Sequence, residues 1–185
     1  MDLFDEAVAT LEGYRRKATA DELDELTALA GRDDAPVLLY LAWQLGKADK
    51  AALTPHVGPS WSAAEYPDQM LTHTQWRALF RLVGFTVDGV PAPRPEQPLT
   101  LWRGSVPGRR ADWSWTTDRA VAEGYARGTA ARRPATGRLY RLEAPPAALL
   151  CANTERDEAE YVVDTRRLTI REEAATLTAS SAPTT

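Results

Sequence analysis

The chain is poor in the residues that most often mark a binding or redox centre. Among its 185 residues there is one cysteine, Cys151, and there are two histidines, His56 and His73. A single cysteine excludes an internal disulfide framework, and Cys151 has no neighbouring histidine to activate it as a catalytic thiol. Neither histidine has a Cys, His or carboxylate partner at a metal-ligand spacing, so both read as ordinary loop or surface residues and no metal site is expected. No apolar run approaches the roughly 18 to 20 residues that a membrane span needs. Nor does the N-terminal Met1-Asp2-Leu3-Phe4-Asp5-Glu6 show the basic and apolar regions of a secretion signal. A cytoplasmic location is the expectation. An excess of basic charge is also lacking: 22 Lys and Arg face 26 Asp and Glu for a formal net charge of −4, against a general nucleic-acid binder, and the arginines at 127, 132, 133 and 138 read as a solvated loop.

What is present is enough apolar material, 44% against 26% charged residues, for one ordinary domain with a core. The first half has helical periodicity. Asp2 caps a helix carrying Leu3, Phe4, Ala7, Val8 and Leu11, and Thr19 with Glu22 forms a capping box for a second with Leu23, Leu26 and Ala30. A third starts near Asp34, tolerates Pro36 in its first turn, buries Val37, Leu38, Leu41 and Leu45, and stops at Gly46. Around Pro55, Pro59 and Pro67 an irregular stretch is expected, followed by a helix with Trp76, Leu79, Phe80 and Val83 that ends at Gly84.

The texture then changes. Pro91, Pro93, Pro95 and Pro98 make a stiff connector, and from Leu99 onward short alternating runs rich in β-branched and aromatic residues predict strands. Expected strands lie at 99–103, 138–143, 149–152, 160–163 and 168–171. One helix, capped by Thr117 or Asp118 and closed by Gly128, interrupts them with Val121, Ala122 and Tyr125 as its buried stripe. The last dozen residues, rich in Ala, Ser and Thr, are expected to be disordered. The predicted division is a helical region at 1–90, a β-rich core at 91–173 and a tail at 174–185.

Three short pieces of the β-rich half carry chemistry in combination: Leu-Trp-Arg-Gly at 101–104, Ser-Trp-Thr-Thr at 114–117 and Glu-Ala-Glu at 158–160. A guanidinium presents paired donors that match phosphate oxygens, so Arg103 near a strand end suits the pyrophosphate of a dinucleotide such as NAD; taken alone it equally suits a structural salt bridge. Gly104 leaves the backbone open to close approach, or is simply a turn glycine. Ser114 sits between Trp113 and Trp115 as a small hydroxyl in an apolar wall, where a hydrogen bond to a carboxylate is strong. The tryptophans themselves, like Tyr125, read as core. Glu158 and Glu160, two apart on an extended strand, direct both carboxylates to one side, roughly 6 to 7 Å apart. A carboxylate there can stabilise the oxocarbenium-like state formed when the nicotinamide–ribose bond breaks; without the upstream pieces, Glu-Ala-Glu would be an acidic solvated edge.

In this order, Arg103, then Ser114-Trp115-Thr116, then Glu158-Ala159-Glu160, the chain resembles the arginine–serine–glutamate class of mono-ADP-ribosyltransferases, the cholera-toxin and clostridial-toxin type. The resemblance covers about 99–171 and leaves the first 70 or so residues unexplained. Where the family often has Ser-Thr-Ser, this chain has Ser-Trp-Thr-Thr, with Thr116 keeping the third hydroxyl. The resemblance implies an α+β fold: a split, mostly antiparallel β-sandwich with a helical N-terminal part and NAD in the cleft between two small sheets. It implies that the backbone of Gly104 holds the nicotinamide carboxamide, that Ser114 aims the catalytic Glu160, and that Glu158 orients or deprotonates the acceptor. It also implies that the exposed loop 151–157 reads a macromolecular acceptor, in this case a protein arginine. The residues leave open an NAD glycohydrolase that uses water as acceptor, and a non-catalytic NAD-binding or interaction module.

Overall fold

The computed structural model describes residues 2–128, 137–154 and 159–173. Six helices open the chain: α1 (Leu3–Gly13), α2 (Ala20–Ala30), α3 (Ala35–Gln44), α4 (Lys50–Ala63), α5 (Pro67–Met70) and α6 (His73–Val83). Asp or Thr side chains cap α1, α2, α4 and α6, whereas Asp34, ahead of Pro36 in α3, makes no side-chain cap among the described residues. Asp2 accepts from the Asp5 amide, and Thr19 with Glu22 forms the expected reciprocal box. Thr72 and Gln75 form a second box that opens α6. The stretch around Pro55 and Pro59, expected to be irregular, is instead the interior of α4. Each proline removes one helical N–H, yet Asp49 caps the helix and Leu53, Val57 and Trp61 are fully or almost fully buried along it; tertiary packing outweighs the local cost.

The strands are β1 (Thr86–Val87), β2 (Val90–Pro91), β3 (Leu99–Ser105), β4 (Ser114–Thr116), β5 (Arg138–Ala144), β6 (Leu149–Asn153), β7 (Glu160–Val163) and β8 (Arg171–Glu173), with α7 (Arg119–Arg127) between β4 and β5. The expected strand at 168–171 is displaced: Leu168 and Ile170 pack against the core from a turn, and pairing with β5 begins at Arg171. The protein is therefore α+β. Its strands run in one ladder, β2-β1-β6-β7-β4-β3-β5-β8, antiparallel except for β1 beside β6. Instead of two separate sheets there is one with a narrow waist, because β3 and β4 pair only at Trp102 and Thr116.

Two hydrophobic clusters flank the waist. One joins the helices, through Leu38, Leu53, Trp61, Trp76 and Phe80, to Trp113, Cys151 and Val162 of the β-rich half. The other collects Leu101 and Leu142 from one side of the waist and Trp115, Ala152 and Val163 from the other. The expected boundary at residue 90 falls within the β1–β2 hairpin, whose first strand is part of the ladder. The helices and the sheet thus share a core. No helix among the described residues is long and apolar enough to cross a membrane.

Candidate active site

The site lies at the waist. Strand alternation and register bring its members together: Glu160 on β7 stands directly opposite Thr116 on β4 and directly opposite Asn153 on β6. Opposed residues in a ladder share a face, so the three side chains form a row, and Ser114, opposite Val162, stands one step along it. Ala159, just before Glu160, has φ of +41°, a left-handed conformation that costs a non-glycine residue about 1 kcal/mol or more. The chain turns sharply to deliver this glutamate.

Beside the row lies a cavity of about 200 Å³, lined by Trp102, Arg103, Gly104, Ser114, Trp115, Thr116, Val121, Ala122, Tyr125 and Glu160. A second, of about 780 Å³, adjoins it and shares Arg103, Gly104, Ser114, Tyr125 and Glu160; the α4–α5 corner, with Glu65, Tyr66 and Asp68, forms its far wall. The outer volume falls in the range of ligand pockets of about 300–1,000 Å³, and the inner one suits a single ring-sized group. Of the residues singled out from sequence, Arg103, Gly104, Ser114, Thr116 and Glu160 therefore meet at one place. Glu158, Arg132 and Arg133 lie outside the described residues, as does the expected tail.

Arg103 is held more tightly by the protein than a ligand-only role requires. Its Nε donates to the Arg109 carbonyl at 3.1 Å, its Nη1 to the Ser114 carbonyl at 2.6 Å and its Nη2 to Asp112 Oδ2 at 2.9 Å. Of five guanidinium N–H groups, two are left for a ligand among the described residues. Burial pulls its pKa down, while the charges of Asp112 and, less strongly, Glu160 favour the cation. A guanidinium stays charged under such opposing pressures. Asp112 also takes Nε of Arg109 at 2.7 Å, and Arg109 lies over the Tyr66 ring and 3.6 Å from Asp68. Arg109 is thus a second cation on the outer cavity.

Gly104 is dictated by packing. A Cβ there would collide with the Ala122 carbonyl, the Ala126 amide and Tyr125 Cβ at 2.9 Å, so only glycine lets α7 lie this close to β3. Tyr125, carried by that helix, is half-buried and lines both cavities instead of sitting in the core.

The expected contact from Ser114 to Glu160 is not formed among the described residues. Ser114 Oγ accepts the indole N–H of Trp61 at 3.0 Å, a hydrogen bond supplied by the helical half. Glu160 instead accepts from Asn153 Nδ2, at 3.1 Å to Oε2. The expected exposed loop beginning at Cys151 is, through Asn153, the buried end of β6. Burial, and then the charge of Glu160, raise the Cys151 thiol well above its ordinary range, so it stays protonated. His73 is not a surface residue either: it is half-buried and stacks on Trp113 with ring centroids 4.3 Å apart. His56 contacts the Ala20 carbonyl at 3.0 Å. No cluster of three or more His, Cys, Asp or Glu among the described residues could hold a metal.

Sequence reasoning places Tyr125 in the core and does not single out Asn153, Trp61 or Arg109. Only Asn153 left a usable signal, since a hairpin of β6 and β7 would set it opposite Glu160. No protein family, curated protein or solved structure matches the chain.

Proposed function

We propose that the protein is an NAD-dependent mono-ADP-ribosyltransferase, which transfers ADP-ribose from NAD to a macromolecular acceptor, a protein arginine side chain, and releases nicotinamide. The observation that carries this reading is the convergence of Arg103, Ser114, Thr116 and Glu160, from three separate strands, on one inner cavity continuous with a larger outer one.

The shapes suit the two halves of NAD. The nicotinamide ring goes to the inner cavity, against Trp102 and Tyr125, and the adenosine half to the outer one, against the α4–α5 corner. The pyrophosphate then falls near the junction, where the two remaining N–H groups of Arg103 and the half-exposed Arg109 supply donors and positive charge. Arg103 arrives oriented, because its other three N–H groups are fixed by the protein. Preorganised donors of this kind cost little reorganisation on binding.

The bond that breaks joins the nicotinamide nitrogen to the ribose C1′; nicotinamide leaves neutral with the electron pair, and positive charge develops on the sugar. Glu160, half-buried beside Arg103, places a carboxylate against that charge. Trp61 holds the Ser114 oxygen, so the Ser114 O–H is left to donate into the cavity. The acceptor's nucleophilic atom then bonds to C1′ and loses its proton, a step for which the resemblance nominates Glu158.

The test is nicotinamide release from NAD, with transfer of a labelled ADP-ribose to added protein measured in parallel. Glu160→Gln removes the charge with little change of volume. It is expected to slow release at least ~1,000-fold, roughly 4 kcal/mol of transition-state stabilisation, while the Kd for NAD stays within about threefold. Release at the wild-type rate would overturn the reading.

A further inference from the structure

We propose that Asn153 is the positioning residue of Glu160: its side-chain amide holds one carboxylate oxygen and turns the other toward the cavity. This inference rests on the reading of the site given above. Asn153 ends β6 directly opposite Glu160, is 8% exposed, and its Nδ2 lies 3.1 Å from Glu160 Oε2. The same nitrogen lies 3.4 Å from the Gly58 carbonyl and 3.7 Å from Cys151 Sγ. Two oxygen acceptors on one side of the amide require the NH₂ group there, which fixes its orientation chemically.

The arrangement is built from both halves of the fold. A Cβ on Gly58 would press on Cys151 Sγ and Thr86 Oγ1, each at 3.3 Å, so glycine lets α4 approach β6 closely enough for its carbonyl to hold the Asn153 amide. The contact between amide and carboxylate is charge-assisted and therefore stronger than a neutral pair. Among the described residues the side-chain hydrogen bond to the Glu160 carboxylate comes from Asn153, while Ser114 Oγ accepts from Trp61.

A purely structural account of Asn153 is the weaker one. Its Oδ1 is buried with no partner among the described residues, a cost that an apolar residue like its neighbours Leu150 and Ala152 would avoid. The polar side chain is explained by what its nitrogen holds.

Among the described residues, the charged and titratable groups that face the cavities with Glu160 or lie beside it are Arg103 on β3, Tyr125 on α7, Cys151 on β6 and, from the outer wall, Arg109, Glu65, Tyr66 and Asp68, with Asp112 behind Arg103. Substitution at 153 puts a second carboxylate directly opposite Glu160. Asn153→Asp makes the two acids share a proton, so the acid limb of the pH profile for nicotinamide release should move up by about one pH unit or more. Asn153→Ala should lower kcat about 10- to 100-fold with KM for NAD within about threefold, a split that a merely structural loss would not produce in the folded variant. The alanine variant keeps the test decisive if the aspartate variant does not fold. An unchanged kcat in Asn153→Ala or an unmoved acid limb in a folded Asn153→Asp, beside an inactive Glu160→Gln, would overturn this inference alone. Full activity in Glu160→Gln would overturn the site reading and this inference together.

Discussion

Two clusters in this molecule are built from the same parts and end differently. At the α6–β7 side, Asp164 takes Arg77 Nε at 2.8 Å and Arg166 Nη2 at 2.7 Å; at the waist, Asp112 takes Arg103 Nη2 at 2.9 Å and Arg109 Nε at 2.7 Å. In the first, both carboxylate oxygens are engaged, Arg77 lies over the face of Trp113, and its side chain is 9% exposed. There the Arg77–Asp164 pair is closed off, with Arg166 covering it from the solvent side. In the second, both arginines meet a single oxygen of Asp112, Arg109 is half-exposed, and the cluster opens onto the 780 Å³ cavity. A buried arginine is therefore not a signature of function in itself. What separates Arg103 from Arg77 is an unfilled volume with Glu160 on its rim.

That comparison breaks most visibly at the closed cluster. Asp164→Asn leaves the Arg77 charge buried without its partner and is expected to cost about 3 kcal/mol of stability, read as a fall in the urea midpoint, with the Kd for NAD unchanged. Burial alone would raise the Asp164 pKa, but the hydrogen bonds from Arg166 and Arg77 win and hold it well below its ordinary 3.8. A carboxyl with a depressed folded-state pKa stabilises the protein above its unfolded value and loses that contribution as pH falls. The difference between wild type and variant should be full at pH 6 and shrink below about pH 4.

At the open cluster the expected effect moves from folding to binding. Arg103→Lys cannot reach three acceptors at once and loses the fork, so the Kd for NAD should rise roughly 10- to 30-fold, about 2 kcal/mol, in a calorimetric titration. Arg77→Lys should leave that Kd where it is. Equal effects of the two lysine substitutions on NAD affinity would erase the distinction between the clusters. The smallest effect is expected at Trp61→Phe, which keeps the ring stacked on Trp113 but removes the N–H to Ser114. About 1 kcal/mol, or roughly fivefold in kcat/KM, should be lost.

What could be read in advance follows the range of the interactions. Helix starts at Asp2 and Thr19 are local chemistry, legible in three or four residues. So was the change from helical to strand texture near Leu99, which gives the α+β class. The same box chemistry at Thr72 and Gln75 is equally local. Pro55 and Pro59 misled, because the packing of Leu53, Val57 and Trp61 that overrides them is tertiary. The parallel pairing of β1 with β6 joins Val87 to Ala152 and has no local trace. At the site, Arg103, Ser114 and Glu160 were found as types in an order. Their partners Asp112, Trp61 and Asn153 depended on register and on which helix covers the sheet. Sequence identified the groups, but not which group aims which.

The proposed reaction requires one dinucleotide to span the two cavities, with its nicotinamide ring among Trp102, Tyr125 and Glu160. A crystal structure of Glu160→Gln grown with NAD tests it most directly. The ring is expected in the inner cavity and the pyrophosphate within hydrogen-bond distance of Arg103. NAD bound with neither group there, or no NAD bound at a concentration that saturates the protein in solution, would contradict it.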